Sequence, residues 1–348
     1  MRDRVDILRE GIGQTDKIVE IGPSFSPLTP KRDGWRCFTV DHADQERLVE
    51  KYRLDPSVDV AMIEPVDFVW TEAALSDAVP VEHHGTFDVF LASHVIEHIP
   101  DLIGFLRSAE ALVRPSGRMV LAIPDKRVCF DFFRPLTTTG DLLASHRERR
   151  ARYMPKVVWD CFAYQVTKHG APGWGRTDQA TAAFTYTLEQ ALASIRRYDA
   201  GAFIDAHYST FVPASFALIM LELARLGLTD WQIERSETAE YTEFYVWLRR
   251  GALAKVAEMS ETELANDRLC LLNEMLVELN DQGRQLALSW INRHLRQAEV
   301  EWAARLEQKQ QELANALNTI ETMRLSRAWR GRTRLRKLLR LPRTLSDC

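Results

Sequence analysis

The chain has 348 residues, 46% of them hydrophobic, a formal net charge of −4, and five cysteines with no CxxC pair. That length allows about two domains with a real core, and the cysteine pattern excludes a disulfide framework and a cysteine-zinc cluster, pointing instead to a reducing cytoplasm. Nowhere do eighteen apolar residues run together, so no membrane span is expected; residues 324–343 hold nine basic residues and no acid, which leaves an acidic body and a basic tail.

Lys17-Ile18-Val19-Glu20-Ile21 is a short β-branched run that ends in an acid and the turn Gly22-Pro23-Ser24. It reads as a buried first strand whose glycine lets backbone approach a ligand. Pro23, Ser24 and Pro27 stand where later glycines of a dinucleotide fingerprint would be, so pyrophosphate binding is disfavoured. Trp35 to Val40 is a second strand followed by Asp41, placed about 20 residues after the glycine turn, where a carboxylate can accept from both ribose hydroxyls. Asp67 follows a third apolar run and is read as a partner for an adenine amino group.

Phe87 to Ala92 is a fourth strand, leading into Ser93-His94-Val95-Ile96-Glu97-His98-Ile99-Pro100-Asp101. Helical apolar spacing covers 102–113, Arg114-Pro115-Ser116-Gly117 is a turn, and Arg118 to Ile123 is a fifth strand. Strand alternating with helix implies a parallel sheet covered on both faces.

On Val19-Glu20-Ile21-Gly22, Asp41, the 93–101 segment and Leu112-Val113-Arg114-Pro115-Ser116-Gly117-Arg118, the chain resembles a class I S-adenosylmethionine-dependent methyltransferase. The resemblance implies a Rossmann-like doubly wound α/β sheet, with S-adenosylmethionine held by Glu20, Gly22, Pro23, Ser24, Asp41, Asp67, Ser93 and His94. Relatives often carry Gly-x-Gly after the first strand, where this chain has Gly22-Pro23-Ser24.

Residues 126–200 read as an insertion or lid. Aromatics such as Phe130, Phe132, Phe133, Trp159, Trp174, Phe184 and Tyr186 alternate there with Arg147, Arg149, Arg150, Arg152 and Lys168, which suits either a sugar face or a helical cap with its own core. Gly170-Ala171-Pro172-Gly173-Trp174-Gly175 reads as a flexible loop. Pro213 opens a helix that Gly227 stops, and 231–234 with 241–248 form the closing antiparallel pair, ending a domain of residues 1–250.

Residues 251–323 are helical. Leu306, Leu313 and Ile320 recur every seven positions, as do Trp302, Lys309, Ala316 and Met323, which predicts a coiled coil and a homodimer or homotrimer. The tail, 324–348, mixes its basic residues with Trp329 and leucines, a composition suited to an anionic membrane surface or a membrane-associated glycosyltransferase, with nucleic acid the weaker reading. The arrangement is similar to proteins of bacterial surface-polysaccharide assembly, which makes a glycan the expected acceptor and the cytoplasm, at the inner face of the membrane, the expected location.

His94, His98 and His207 are the candidate general bases for a hydroxyl acceptor, since imidazole titrates near neutral pH. Glu97, His98 and His207 also offer N and O ligands for a divalent metal ion. Two other classes stay open: a methyltransferase for a small molecule or a protein, and a non-catalytic coiled-coil scaffold.

Overall fold

The computed structural model describes residues 2–71, 74–150 and 153–339. In chain order the elements are α1 (Arg4–Leu8), β1 (Ile18–Ile21), β2 (Cys37–Asp41), α2 (Gln45–Tyr52), β3 (Phe68–Val69), β4 (Phe87–Ser93), α3 (Leu102–Leu112), β5 (Val113–Pro124), α4 (Thr139–Arg147), α5 (Pro155–Ala163), β6 (Val166–Thr167), β7 (Ala183–Phe184), α6 (Leu188–Asp199), α7 (Pro213–Arg225), β8 (Trp231–Thr238), β9 (Glu243–Arg250), α8 (Ala252–Glu258), α9 (Glu261–Leu325) and α10 (Arg327–Leu338), with short 3₁₀ turns between them.

Seven strands form one sheet in the order β3-β2-β1-β4-β5-β9-β8. The first five are mutually parallel, β9 runs antiparallel to β5, and β8 antiparallel to β9. This is the expected doubly wound α/β sheet with its closing antiparallel pair. Strand order reverses between β1 and β4, so the crevice beyond their carboxyl ends is where a ligand belongs.

The alternation of β4 shows why the sheet is buried on both faces. Phe90 and Ala92 enter a core with α3 and α7 (Phe105, Leu106, Phe216, Leu223), whereas Val89 and Leu91 pack on the other side with Leu8 of α1, Leu28 and Trp247. Fully buried Trp231 fills the first core, and its Nε1 donates to the Leu106 carbonyl at 3.1 Å.

The compact unit runs past Arg250 to Leu286. Its last segment, the start of α9, is fastened by Glu278, which accepts from Ala214 N at 3.1 Å, and by Gln282, whose Oε1 lies 3.2 Å from Lys126 Nζ. Residues 287–348 form the second unit. There α9 exposes Trp302, Leu306, Leu313, Ile320 and Met323. Arg340, Leu341 and Arg343 of the tail, and Arg152 of the insertion, lie outside the described residues. Among the described residues no helix is long and apolar enough to cross a membrane.

Within 126–200, Phe132 and Trp174 are core residues, packed with Val128 and Val166, while Phe133 and Phe184 are exposed with ring centroids 6.3 Å apart. The glycine-rich stretch is pinned by bridges from Gly173 to Cys129 and from Gly175 to Tyr241, and a Cβ on Gly173 would run into Thr242. Gly173 therefore serves close approach, whereas Gly170, at a φ of +77° with open space around it, serves a left-handed turn.

Candidate active site

A cleft of about 770 Å³ opens at the carboxyl rim of the sheet, lined by Gly22–Ser26, Ser93, His94, Arg4 and the turn between β8 and β9. Gly22 takes a φ of +63°, and a Cβ there would stand 3.0 Å from Val95 Cγ2, so only glycine keeps this backbone open to a ligand. Ser24 occupies the position of the family's second glycine. Its φ of +44° is the left-handed conformation glycine would adopt freely, held here because its N–H (2.9 Å) and Oγ (3.3 Å) both donate to Asp41 Oδ2. Pro23 sits between them.

Glu20 is buried beneath the cleft. It accepts from Leu28 N (2.5 Å), Thr29 N (2.9 Å) and Thr29 Oγ1 (2.8 Å), so its carboxylate shapes the loop after β1 rather than gripping a ligand. Burial pushes its pKa up, opposed by those donors. Asp41 ends β2 with its Oδ1 accepting from His42 N (2.7 Å) and paired with His42 Nδ1 (2.6 Å). Asp67 is not brought to the cleft. Its N–H bonds Thr39 O, two residues short of the end of β2, and its Oδ2 accepts from Lys31 Nζ (2.5 Å) and Thr39 N (2.7 Å). The adenine role expected for it is corrected accordingly: a residue preceding a parallel strand cannot stand at that strand's carboxyl end.

One wall of the cleft is a network that sequence reasoning missed. Arg4 donates to Glu243 through Nε (2.6 Å) and Nη2 (2.9 Å) and to Ser93 Oγ (2.7 Å); Tyr245 OH donates to Glu243 Oε1, and His94 Nε2 lies 2.8 Å from Glu243 Oε2. Burial would raise the Glu243 pKa, yet His94 and Arg4 hold it down at about 2. Burial would likewise lower His94, but Glu243 and Glu97 raise it to about 9. His94 is therefore an imidazolium at neutral pH, a fixed cation rather than the general base expected of it.

The structure brings Glu97, His98 and His207 together. Glu97 is 1% exposed, and neither of its carboxylate oxygens has a hydrogen-bond partner among the described residues. Burial alone would raise its pKa, but the surrounding imidazoles bring it below the ordinary value. His98 Nε2 and His207 Nε2 each stand 3.9 Å from Glu97 Oε1. The opposite nitrogens are held by carboxylates: His98 Nδ1 lies 3.2 Å from Asp205 Oδ1, and His207 Nδ1 makes a short hydrogen bond to Asp131, which Arg134 also pairs at 2.7 Å. Asp131 is fully buried, which opposes its ionisation, but His207 and Arg134 bring it to about 2. The two halves of the cluster are stitched by backbone, Tyr208 N and Ser209 N donating to Glu97 O. Asp205 had a readable signal, two residues before His207; Asp131 had none.

His94 faces the first cleft and His98 faces a second cavity of about 580 Å³, lined by His42, Trp70, Ile99, Phe105, His146 and Tyr153 among others, so the Glu97 cluster lies between the two.

A family model described as a methyltransferase domain matches residues 14–222. No curated protein matches the chain. Among solved structures, it is similar to a protein from Rhodobacter sphaeroides described as a putative Zn-dependent alcohol dehydrogenase (13% identity, 72% of this chain and 90% of that chain, TM-score 0.39). It is also similar to the CcbJ methyltransferase from Streptomyces caelestis (13%, 72% and 97%, TM-score 0.37) and to a methyltransferase from Mesorhizobium loti described as S-adenosylmethionine dependent (12%, 71% and 98%, TM-score 0.36). The family match spans more than half of the chain, on a sheet of the order found here, and the chain belongs to the methyltransferase-domain family as a class I S-adenosylmethionine-dependent methyltransferase.

Proposed function

We propose that this methyltransferase acts on a hydroxyl group, and that the hydroxyl belongs to a sugar of a surface polysaccharide or its lipid-linked precursor. The observation that carries the O-methylation reading is the buried Glu97 carboxylate, whose oxygens accept no hydrogen bond among the described residues, set among the imidazoles of His94, His98 and His207, a place for the proton that a hydroxyl acceptor must lose. Gly22, Pro23, Ser24 and Ser93 would hold the donor along the cleft, with Asp41, buried against Ser24 at the end of β2, toward its ribose. Bound S-adenosylmethionine supplies a methyl carbon on a sulfonium, so the acceptor oxygen forms its C–O bond as a neutral thioether leaves. The chain's contribution is alignment, which at best is on the order of 7–11 kcal/mol, together with a base for the acceptor's proton, His98 or His207; a divalent ion held by Glu97, His98 and His207 would instead lower the pKa of the hydroxyl itself.

The glycan reading is supported by the exposed Phe133–Phe184 pair on the insertion, rings on which a sugar face can stack. The apolar seam of α9 supports a coiled-coil homo-oligomer, and the basic residues of α10, with Leu335 and Leu338 exposed among them, support docking on the anionic cytoplasmic surface of the inner membrane or on a glycosyltransferase there. Transfer of radiolabelled methyl from S-adenosylmethionine to fractionated cell-envelope glycans tests the reading: label in the polysaccharide or lipid-linked fraction is expected, and label confined to small metabolites or protein overturns it. A small-molecule acceptor is the second reading, favoured by the second cavity, whose aromatic lining is of a size to seat one ring system.

A further inference from the structure

We infer that Gln282 of α9, acting through Lys126, is a positioning residue for methyl transfer: it holds the turn after β5 in the form that sets Asp131 against His207. The inference rests on His207 as the base of the proposed O-methylation, and it extends the working part of the chain to α9, beyond residues 14–222 of the family match. Asp125, Lys126, Arg127, Asp131 and Arg134 are all in this turn, and each is 7% exposed or less. Buried charges so close together each need a partner. Asp125 pairs with Arg127 and Arg176, and Asp131 with Arg134 and His207. Lys126 is the exception, making no ion pair among the described residues. Its Nζ is met instead by the Phe132 carbonyl at 2.9 Å and by Gln282 Oε1 at 3.2 Å.

The buried Gln282 amide closes this arrangement. Its Nε2 donates to the same Phe132 carbonyl, so one side chain both receives the ammonium and shares its acceptor. Phe132 directly follows Asp131, and its ring is fixed by Val128, Val166 and Trp174, with Leu286 of α9 packed against them. The start of α9 also grips the segment that carries His207. Glu278 accepts from Ala214 N in the first turn of α7 and lies 3.7 Å from Arg127 Nη2. Lys126 N donates to Phe211 O at 3.1 Å, and Arg134 Nη2 to the His207 carbonyl at 2.8 Å. Residues 278–286 therefore span the two segments whose meeting point is the Asp131–His207 hydrogen bond. Without the Gln282 amide the Lys126 ammonium keeps a single carbonyl acceptor in a buried place, and the turn must shift to satisfy it, carrying Asp131 with Phe132. The donor cleft contains none of Lys126, Phe132 or Gln282, so the loss falls on the orientation of the base and not on donor binding.

The test uses the full chain with Gln282→Leu, Asp131→Asn and the two combined, each certified as folded by unchanged affinity for S-adenosylhomocysteine. Lys126→Met, which removes the same grip from the other side, replaces Gln282→Leu if that variant does not fold. Hydrogen exchange read by mass spectrometry needs no acceptor: Gln282→Leu should lose protection in 126–134 and 207–211 and keep it in β1 and β4. Methyl transfer from S-adenosylmethionine to the cell-envelope glycan fraction should fall about 10–100-fold in kcat, with the donor's KM unchanged. Because the effect passes through Asp131, the combined variant should be within about twofold of Asp131→Asn, whereas independent structural losses would multiply. Unchanged protection in 126–134, or losses that multiply, overturn the inference. A slowed Asp131→Asn beside a Gln282→Leu at the parental rate refutes this inference alone, and an Asp131→Asn at the parental rate refutes the His207 base on which it rests.

Discussion

Replacing Glu243 by Gln removes the anion that fastens α1 to the start of β9 and neutralises His94. Its carboxyl is lowered from an ordinary value of 4.5 to about 2; at about 1.4 kcal/mol per unit this corresponds to roughly 3 kcal/mol. With 4% of the residue exposed, solvent screening takes little of it. The sign follows from proton counting. Between pH 4.5 and 2 the unfolded chain binds the proton that the folded chain refuses, so stability is fully present above about pH 4.5 and is lost as pH falls through that window. Urea unfolding followed by tryptophan fluorescence at pH 7, 4.5 and 3 should show the variant about 2–3 kcal/mol less stable at pH 7, because Arg4 and His94 lose a buried partner. The difference between variant and parent should narrow as the pH is lowered. Two pH–stability curves that run parallel across this window would refute the assignment of Glu243 as the ionised hub of the cleft wall.

Gly22→Ala places a Cβ 3.0 Å from Val95 in a left-handed conformation; it should cost about 1–2 kcal/mol and abolish S-adenosylhomocysteine binding in calorimetry. Ser24→Gly should leave that affinity within a few-fold, since glycine meets the same φ, whereas Ser24→Val should lose it. Asp67→Asn should not change donor affinity by more than about twofold, because the residue lies away from the cleft; a larger loss would restore the adenine role. In the coiled-coil reading, Leu306→Glu with Leu313→Glu should convert the oligomer to a monomer in analytical ultracentrifugation, and an unchanged mass would remove α9 as the association surface.

The sheet was legible because its strands are short, apolar and separated by helical spacing, and because β-strand alternation needs only local sequence to be read. The rim glycine was legible for the same reason: a ligand-facing turn after a buried strand leaves few residue types that fit. Ser24 shows the limit of such reading. Taken alone it breaks a glycine pattern, and only the Asp41 carboxylate, 17 positions away and brought alongside by the pairing of β1 with β2, explains how a serine holds that conformation. Asp67 failed in the opposite direction. Proximity to a predicted strand was read without its polarity, and the two-residue β3 begins after the aspartate.

The histidine cluster joins residues 97 and 98 to 207 across an insertion, and sequence could propose the set because Glu97 and His98, with His94 three residues earlier, place N and O ligands on one turn that His207 can close. What it could not supply was the set of neighbours that decides the role of each ring. His94 and His207 both lie near Glu97, yet His94 is pinned on its far nitrogen by Glu243, itself paired with Arg4, and becomes a cation on the cleft wall. The far nitrogen of His207 is instead held by Asp131, itself paired with Arg134, and its near nitrogen turns to Glu97. The two rings differ less in their primary partner than in which carboxylate stands behind them and where that carboxylate sits. Those carboxylates come from β9 and from the turn after β5, so the chemistry at the rim depends on the antiparallel strand and on the start of the insertion as well as on the parallel strands.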